Sequence, residues 1–285
     1  MADDSDALPS TATATSTSAS RRASLPEYEI FALRYAHVDR QRRENFLGAP
    51  PDPHDGPMPM DYFVWLVRGN GIEVLVDTGF NQRAADARGR TLLRCPIAAL
   101  SMLGRAPEDV TDVIITHMHY DHAGNIDRLP RARFHLQEIE LQYSVSRYMA
   151  YKPLRHAYAF EDVSNMVRRL YQDEVVFHDG ESRFAPGIEL VRVGGHTKGL
   201  QIVRVHTARG WVVLASDASH YYDNFGRDAP FPVVHDVGDM LEAYRTLNRL
   251  AESPAHVVPG HDPEVLRRYP SIGDGIVALH LDPVR

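Results

Sequence analysis

Thr116-His117-Met118-His119-Tyr120-Asp121-His122 follows directly on the apolar run Val113-Ile114-Ile115 and places three imidazoles and one carboxylate within six residues. The run before it is short, β-branched and bounded by polar residues, the pattern of a buried strand. Side chains alternate with period two along an extended chain, so His117 and His119 face one point. Asp121 and His122 come where the chain turns into Ala123-Gly124-Asn125, and from there they can serve a neighbouring point. Imidazole nitrogen and carboxylate oxygen suit zinc and similar first-row metals. A chance polar turn would rarely gather four ligand-type side chains so densely after a buried strand. The stretch reads as a metal site.

The flanking sequence supplies a scaffold of mixed strands and helices. Upstream, Asp61–Val67 and Ile72–Val76 enclose Gly69-Asn70-Gly71, a strong hairpin signal. Asp77-Thr78-Gly79 ends the second of these strands, and Tyr28–Val38 alternates as a first strand. Thr91–Leu103 has helical spacing, and Pro107-Glu108-Asp109 starts a turn into the metal-motif strand. Five prolines between Ala49 and Pro59 mark a loop. Downstream, strands are expected at Ala132–Leu136, Ile188–Val193, Leu200–His206, Trp211–Ala215 and His256–Val258. Helices are expected at Glu138–Arg147, Phe160–Tyr171 and Asp239–Ala251. No linker interrupts the series, so residues 25–285 read as one α/β domain. Residues 1–24 are rich in Ser, Thr and Ala, carry three acidic residues in the first six and hold no apolar stretch, and so read as a disordered tail. Arg21-Arg22 is followed by no hydrophobic segment of the kind an export signal needs.

Composition removes several function classes. The chain of 285 residues is 44% hydrophobic and 24% charged, an ordinary globular balance that can bury a core. A formal net charge of -7 gives no electrostatic ground for a nucleic-acid or anionic-membrane partner. No apolar run reaches 18 residues, so no membrane-spanning helix is expected. The single cysteine, Cys95, excludes an internal disulfide and a Cys-rich zinc site, and it fits a reducing, cytoplasmic location.

A catalytic metal centre needs ligands from more than one strand end, and three further candidates stand at such ends. Gly194-Gly195-His196 follows the run ending at Val193, Ser216-Asp217-Ala218 follows Trp211–Ala215, and Pro259-Gly260-His261 follows His256–Val258. Two of the three have glycine beside the ligand-type residue, which lets the backbone turn sharply. Any one alone would be a hydrogen-bonded turn residue; with the first cluster they form a set.

Taken together, His117-x-His119-x-Asp121-His122, His196, Asp217 and His261 resemble the metallo-β-lactamase-fold superfamily, in order and over about residues 27–270. Asp77-Thr78-Gly79 resembles that superfamily's turn after the early hairpin. The resemblance implies an αββα sandwich with a two-metal centre at one edge. By it His117, His119 and His196 bind one metal, Asp121, His122 and His261 bind the other, and Asp217 bridges. Zn²⁺ is the first choice of metal, with Mn, Fe or Co compatible with the same N/O donors. The branch it resembles most is the N-acyl-homoserine lactonases and related small-lactone hydrolases. One departure stands out: the lactonase pattern has tyrosine three residues after the bridging aspartate, and here that position is His220, followed by Tyr221 and Tyr222.

The implied chemistry is attack of a metal-bridging hydroxide on a lactone carbonyl, with Asp121 passing a proton to the leaving oxygen. His220, Tyr221 or Tyr222 would then donate to the developing oxyanion; losing such a donor costs roughly 3–4 kcal/mol. The substrate is a small lactone or ester, its acyl part against aromatic loops at 143–160 and 220–231. Alternatives on the same fold are another ester, an amide or a phosphotriester, and outside enzymes a non-catalytic metal-binding module. The β-lactamase branch usually has cysteine at the Asp217 position, and only 24 residues follow His261, too few for the helical part of glyoxalase II-like thioesterases. Nothing in the residues decides oligomeric state, a homodimer included. The remaining histidines (37, 54, 135, 156, 178, 206, 235, 256 and 280) lack a ligand cluster and read as surface or packing residues, with His256 a hydrogen-bonded core residue. Cys95 reads as a buried small hydrophobe and Asp77 as a brace that hydrogen-bonds the site.

Overall fold

The structure is a computed structural model and describes residues 25–49 and 55–284; the expected tail at 1–24 and residues 50–54 of the proline-rich loop, His54 included, lie outside them. In chain order, β1 (Glu29–Val38), β2 (Met60–Gly69) and β3 (Ile72–Val76) form an antiparallel meander. Asn70 (φ 52°) and Gly71 (φ 76°) occupy the two centre positions of the β2–β3 turn, the left-handed pair that matches strand twist. Then come α1 (Gln82–Arg88), β4 (Thr91–Leu92), β5 (Asp112–Ile114), α2 (Tyr120–Ala123), β6 (Arg133–Gln137), α3 (Glu138–Ser144), α4 (Lys152–Arg155), α5 (Phe160–Leu170) and β7 (Val175–His178). The second half holds β8 (Glu181–Ala185), β9 (Ile188–Arg192), β10 (Gln201–Thr207), β11 (Gly210–Ser216), α6 (Tyr222–Gly226), α7 (Val237–Leu250), β12 (Val257–Pro259), α8 (Glu264–Arg268), β13 (Ser271–Gly273) and β14 (Ile276–Ala278).

Two sheets result. One runs β13-β14-β1-β2-β3-β5-β6-β7 with β4 on β1; the other runs β12-β11-β10-β9-β8. Period-two alternation explains how they stack. In β1, Ile30 and Ala32 turn toward the second sheet, while Phe31, Leu33 and Tyr35 turn toward the helical segments packed outside. In β11, Val212 and Leu214 turn inward while Val213 and Ala215 meet Met240, Tyr244 and Leu247 of α7. Both faces of each sheet are therefore covered, which is why these strands read as nearly unbroken apolar runs. Trp65, Phe63 and Val205 fill the seam between the sheets. The architecture is the expected αββα sandwich.

Departures from the sequence reading have local causes. Thr91–Leu103 is not one helix: Thr91 and Leu92 pair with His37 and Ala36 of β1, and only Ala98–Leu103 winds, as a 3₁₀ turn. Pro96 has no amide hydrogen to continue a helix through the break. The segment after Gln137 is helical only to Ser144, with a separate 3₁₀ turn at Arg147–Ala150. His256 belongs to a 3₁₀ turn before β12; its ring is partly exposed and bonds Ser253 and the Arg209 carbonyl. Cys95 is half-buried, with Arg128 donating to its sulfur. No helix among the described residues is long and apolar enough to cross a membrane.

Candidate metal centre

The strand ends that carry the candidate ligands meet at one edge of the sandwich. β3 and β5 run parallel, and so do β11 and β12, so their C-terminal turns emerge together. Two of those turns are strained: Asp77 has φ 61° and Ser216 φ 46°, left-handed conformations that non-glycine residues keep only where surroundings hold them. Asp77 is held by what it binds. Its carboxylate accepts hydrogen bonds from the Thr116 amide (2.7 Å), the Thr116 hydroxyl (2.8 Å) and His122 Nδ1 (2.7 Å). It braces the motif and is not itself among the clustered ligand atoms, as the sequence suggested. At the other turn Gly260 is required by space, since a Cβ there would sit 2.6 Å from the Ser216 carbonyl oxygen.

The seven expected ligands converge. His117, His119 and His196 present nitrogens within 4.8 Å of one another, and Asp121, His122 and His261 form a second such trio. Asp217 lies between them with one oxygen to each. Its Oδ1 is 3.2 Å from His122 Nε2 and 2.9 Å from His261 Nε2; its Oδ2 is 3.2 Å from His196 Nε2 and 3.9 Å from His117 Nε2. Donor atoms bound at about 2.0–2.2 Å around one tetrahedral zinc are necessarily separated by roughly these distances.

The donor chemistry fits metal. Nε2 of His117, His122, His196 and His261, and Oδ1 of Asp217, are buried without a hydrogen-bond partner. Such atoms are costly to bury bare. Meanwhile the opposite ring nitrogens are anchored: His196 Nδ1 donates to the Val233 carbonyl (2.6 Å) and His261 Nδ1 to the Asp61 carbonyl (2.9 Å), while His122 Nδ1 donates to Asp77. A ring that donates from Nδ1 keeps the Nε2 lone pair free, the usual arrangement behind a metal-binding histidine. Burial, with the neighbouring imidazoles, pushes His117 and His119 well below the ordinary histidine range, which keeps their nitrogens unprotonated. Burial would raise the Asp217 carboxyl, but His261, His122, His220 and His196 together hold it well below the usual carboxylate range.

His220 reaches this cluster; the hydroxyls of its two neighbours do not. His220 Nε2 lies 2.9 Å from Asp217 Oδ2, and its ring stacks on Phe231 at 3.4 Å. Burial takes its pKa down to about 3, so it is a neutral ring whose Nε2–H donates to Asp217. The Tyr221 hydroxyl instead donates to the Pro59 carbonyl (3.2 Å), and Tyr222 packs under Arg268.

Two residues around the site, Glu140 and His235, were missed by sequence reading, while Tyr143 and Tyr158 fall within the aromatic stretch 143–160 expected to meet the substrate. Glu140 of α3 is fully buried, and its carboxylate accepts from Met118, Tyr158, Thr197 and Gly199. Tyr158 stands edge-on to His119 at 4.6 Å, and the Tyr143 hydroxyl lies 3.2 Å from His235 Nδ1. Tyr143, Tyr158 and His235, with His119 and His196, line a cavity of about 150 Å³ over the cluster. A second cavity of about 450 Å³ shares His156 and Tyr158 with it and includes Met149, Lys152, Phe160 and Val163. The aromatic character of 143–160 was the available signal for the cavities; a glutamate one turn into a helix carried none.

Among known proteins, N-acyl homoserine lactonase AiiB of Agrobacterium fabrum (strain C58) is 29% identical over 219 residues, 70% of this chain and 79% of that one. A solved quorum-quenching N-acyl homoserine lactone lactonase superposes with a TM-score of 0.70 at 21% identity, over 85% of this chain and 94% of its own. AidC, a dizinc quorum-quenching lactonase solved with a product, superposes with a TM-score of 0.66 at 19% identity, over 90% and 95%. At such identities the two structures speak for the fold alone. The family model of the metallo-beta-lactamase superfamily matches residues 58–261, a span that runs from the start of β2 through the last clustered histidine, and the chain belongs to that superfamily.

Proposed function

We propose that this chain is a metal-dependent hydrolase that opens small lactone rings, N-acyl-homoserine lactones or close relatives. The observation that carries the reading is the pair of ligand trios sharing the two oxygens of Asp217, with four of their imidazole nitrogens unsatisfied and a cavity lined by His119 and His196 beside them. His117, His119 and His196 would hold one ion and Asp121, His122 and His261 the other, with Asp217 between. Two bound divalent ions supply a nucleophile from water near neutral pH and a Lewis acid for the carbonyl oxygen.

The chain's own residues do the rest. Asp121 is the most exposed of the seven, and its carboxylate would take the proton that the attacking water gives up and pass it to the departing alkoxide. His220 keeps Asp217 oriented through a neutral N–H. Tyr158 and Tyr143 wall the reacting end from solvent, and the larger, mainly apolar cavity beyond His156 takes the acyl part. Zinc as the metal, a cytoplasmic location and interception of acyl-homoserine lactone signals belong to the same proposal, as does a single hydrolase unit over residues 25–285. The lactone choice draws on the lactonase relatives. Zinc-reconstituted protein screened against lactones, aryl esters, amides, thioesters and phosphotriesters should turn over lactones with the highest kcat/KM. Turnover of phosphotriesters or thioesters with lactones inert would overturn it.

A further inference from the structure

We propose that Glu140 is the positioning residue of the ion site made by His117, His119 and His196: one buried carboxylate holds Met118, between two of those ligands, and the loop that follows the third. The proposal rests on the metal-centre reading above and extends it to a residue outside the ligand set. Glu140 Oε1 accepts from the Met118 amide (3.0 Å) and the Tyr158 hydroxyl (3.2 Å). Its Oε2 accepts from the Thr197 hydroxyl (2.8 Å) and the Gly199 amide (2.9 Å). Met118 is the residue between His117 and His119. Tyr158 is the ring against which His119 stands, and the backbones of 119 and 158 form an isolated bridge. Thr197 follows His196, and Gly199 closes the same loop. One oxygen thus holds the first-sheet ligands and the other holds the second-sheet ligand.

Space enforces the same arrangement. A Cβ at position 199 would lie 2.5 Å from the Glu140 amide nitrogen and Cβ, so the loop carrying His196 rests directly on α3 only because residue 199 is glycine. α3 contributes no ligand, and this carboxylate hydrogen-bonds the segments that do. Asp77 plays the corresponding part on the other side, gripping Thr116 and His122. Asp77 thus holds His122 directly and, through Thr116, the chain just before His117; the two acids share no partner.

Glu140→Gln separates the roles. An amide of the same shape keeps one accepting oxygen but turns an NH₂ toward the other pair of donors. The hydroxyl of that pair can rotate and accept; the backbone N–H cannot. One of the two loops is therefore released. Zn²⁺ binding to the full-length protein, measured in competition with a chromophoric chelator, should show two ions for the wild type. Glu140→Gln should weaken one of them about 10–100-fold, as loss of a partner behind a ligand does elsewhere, and leave the other within about threefold. The step lost must be the one that His261→Ala retains. Thr197→Val, which removes a single bond, should weaken the same step by less, and Gly199→Ala should weaken it too. Should Glu140→Gln not fold, those two variants carry the test alone. Val205→Ala, in the seam between the sheets, controls for general destabilisation and should leave both affinities unchanged. Equal weakening of both ions in the Glu140, Thr197 and Gly199 variants, or none, overturns the proposal. A wild type that binds no Zn²⁺ overturns the reading beneath it.

Discussion

At the scale of single residues, His220 is where expectation and geometry part. A tyrosine hydroxyl in that position would point a donor at substrate; the imidazole instead spends its N–H on Asp217 and lies flat on Phe231. With a pKa near 3 it stays neutral over the working range, so it adds no limb near pH 6.5 to an activity profile. Removing it leaves Asp217 Oδ2 without that donor and opens space against Phe231. His220→Ala should lower kcat by about 10–100-fold together with a weaker hold on metal, the size expected for loss of a group that orients a ligand. Tyr221→Phe and Tyr222→Phe should stay near wild type, because neither hydroxyl faces the cavity. Steady-state kinetics and metal analysis on the three variants check this; a Tyr221 or Tyr222 variant that loses activity while His220→Ala keeps it reverses the assignment. The clustering of the seven candidate residues was legible because each stands past an apolar run, a signal sequence carries directly. Glu140 was not, since its role depends on which loops fold onto α3, and that is set by contacts distant in the chain. The hydroxyl directions at 221 and 222 were equally unreadable, being decided by β12, α8 and the segment before β2.

At the scale of elements, buried or strongly periodic segments were legible and half-exposed edge strands were not. β10, β11, α5 and α7 stand within a residue or two of their expected bounds, because their patterns repeat long enough to be distinctive. β7 and β8 were missed: Val175–His178 and Glu181–Ala185 are edge strands with mostly half-exposed or exposed residues, so little hydrophobic alternation marks them. α5 carries a prediction of its own. Asp162, in its first turn, is buried, and burial pushes its carboxyl up to about 7; Glu161 and Asp127 add to the rise and Arg88 opposes it. A carboxyl whose folded pKa exceeds its unfolded value of about 3.9 binds more protons in the folded state. Stability from this residue is therefore full below about pH 4 and is lost as pH rises toward 7. The loss amounts to a few kcal/mol at most, reduced by the favourable field at a helix N-terminus. Asp162→Asn should thus melt higher than wild type at pH 8, with the gap closing toward pH 4. A gap that is flat across that range would show that Asp162 ionises alike in both states.

At the scale of the whole molecule, the candidate centre joins the two sheets. His117, His119, Asp121 and His122 extend from the first sheet, and His196, Asp217 and His261 from the second. Each proposed ion would take ligands from both, so metal would cross-link the sandwich at the edge where its apolar seam ends. Protein contacts do part of this already: Gln201 donates to the Ile115 carbonyl (2.8 Å), and the Thr116 and Ser216 hydroxyls meet at 2.9 Å. They leave the ligand nitrogens bare, however, and without metal those buried groups stand as uncompensated cost. Binding to the folded state alone stabilises by RT ln(1 + [L]/Kd), about 4 kcal/mol per site at a thousandfold excess over Kd. Two sites at that excess supply about 8 kcal/mol. One kcal/mol moves the midpoint of a chain somewhat smaller than this by about 2–4 °C. Chelation should therefore lower Tm on the order of 15–30 °C, and calorimetry against buffered free Zn²⁺ should show Tm climbing steadily with the logarithm of its concentration. Asp217→Ala should flatten that climb more than any single histidine variant, because it alone faces both ions. A Tm indifferent to free Zn²⁺ over several decades would mean that the sandwich is closed by its protein contacts and that no ion bridges the sheets.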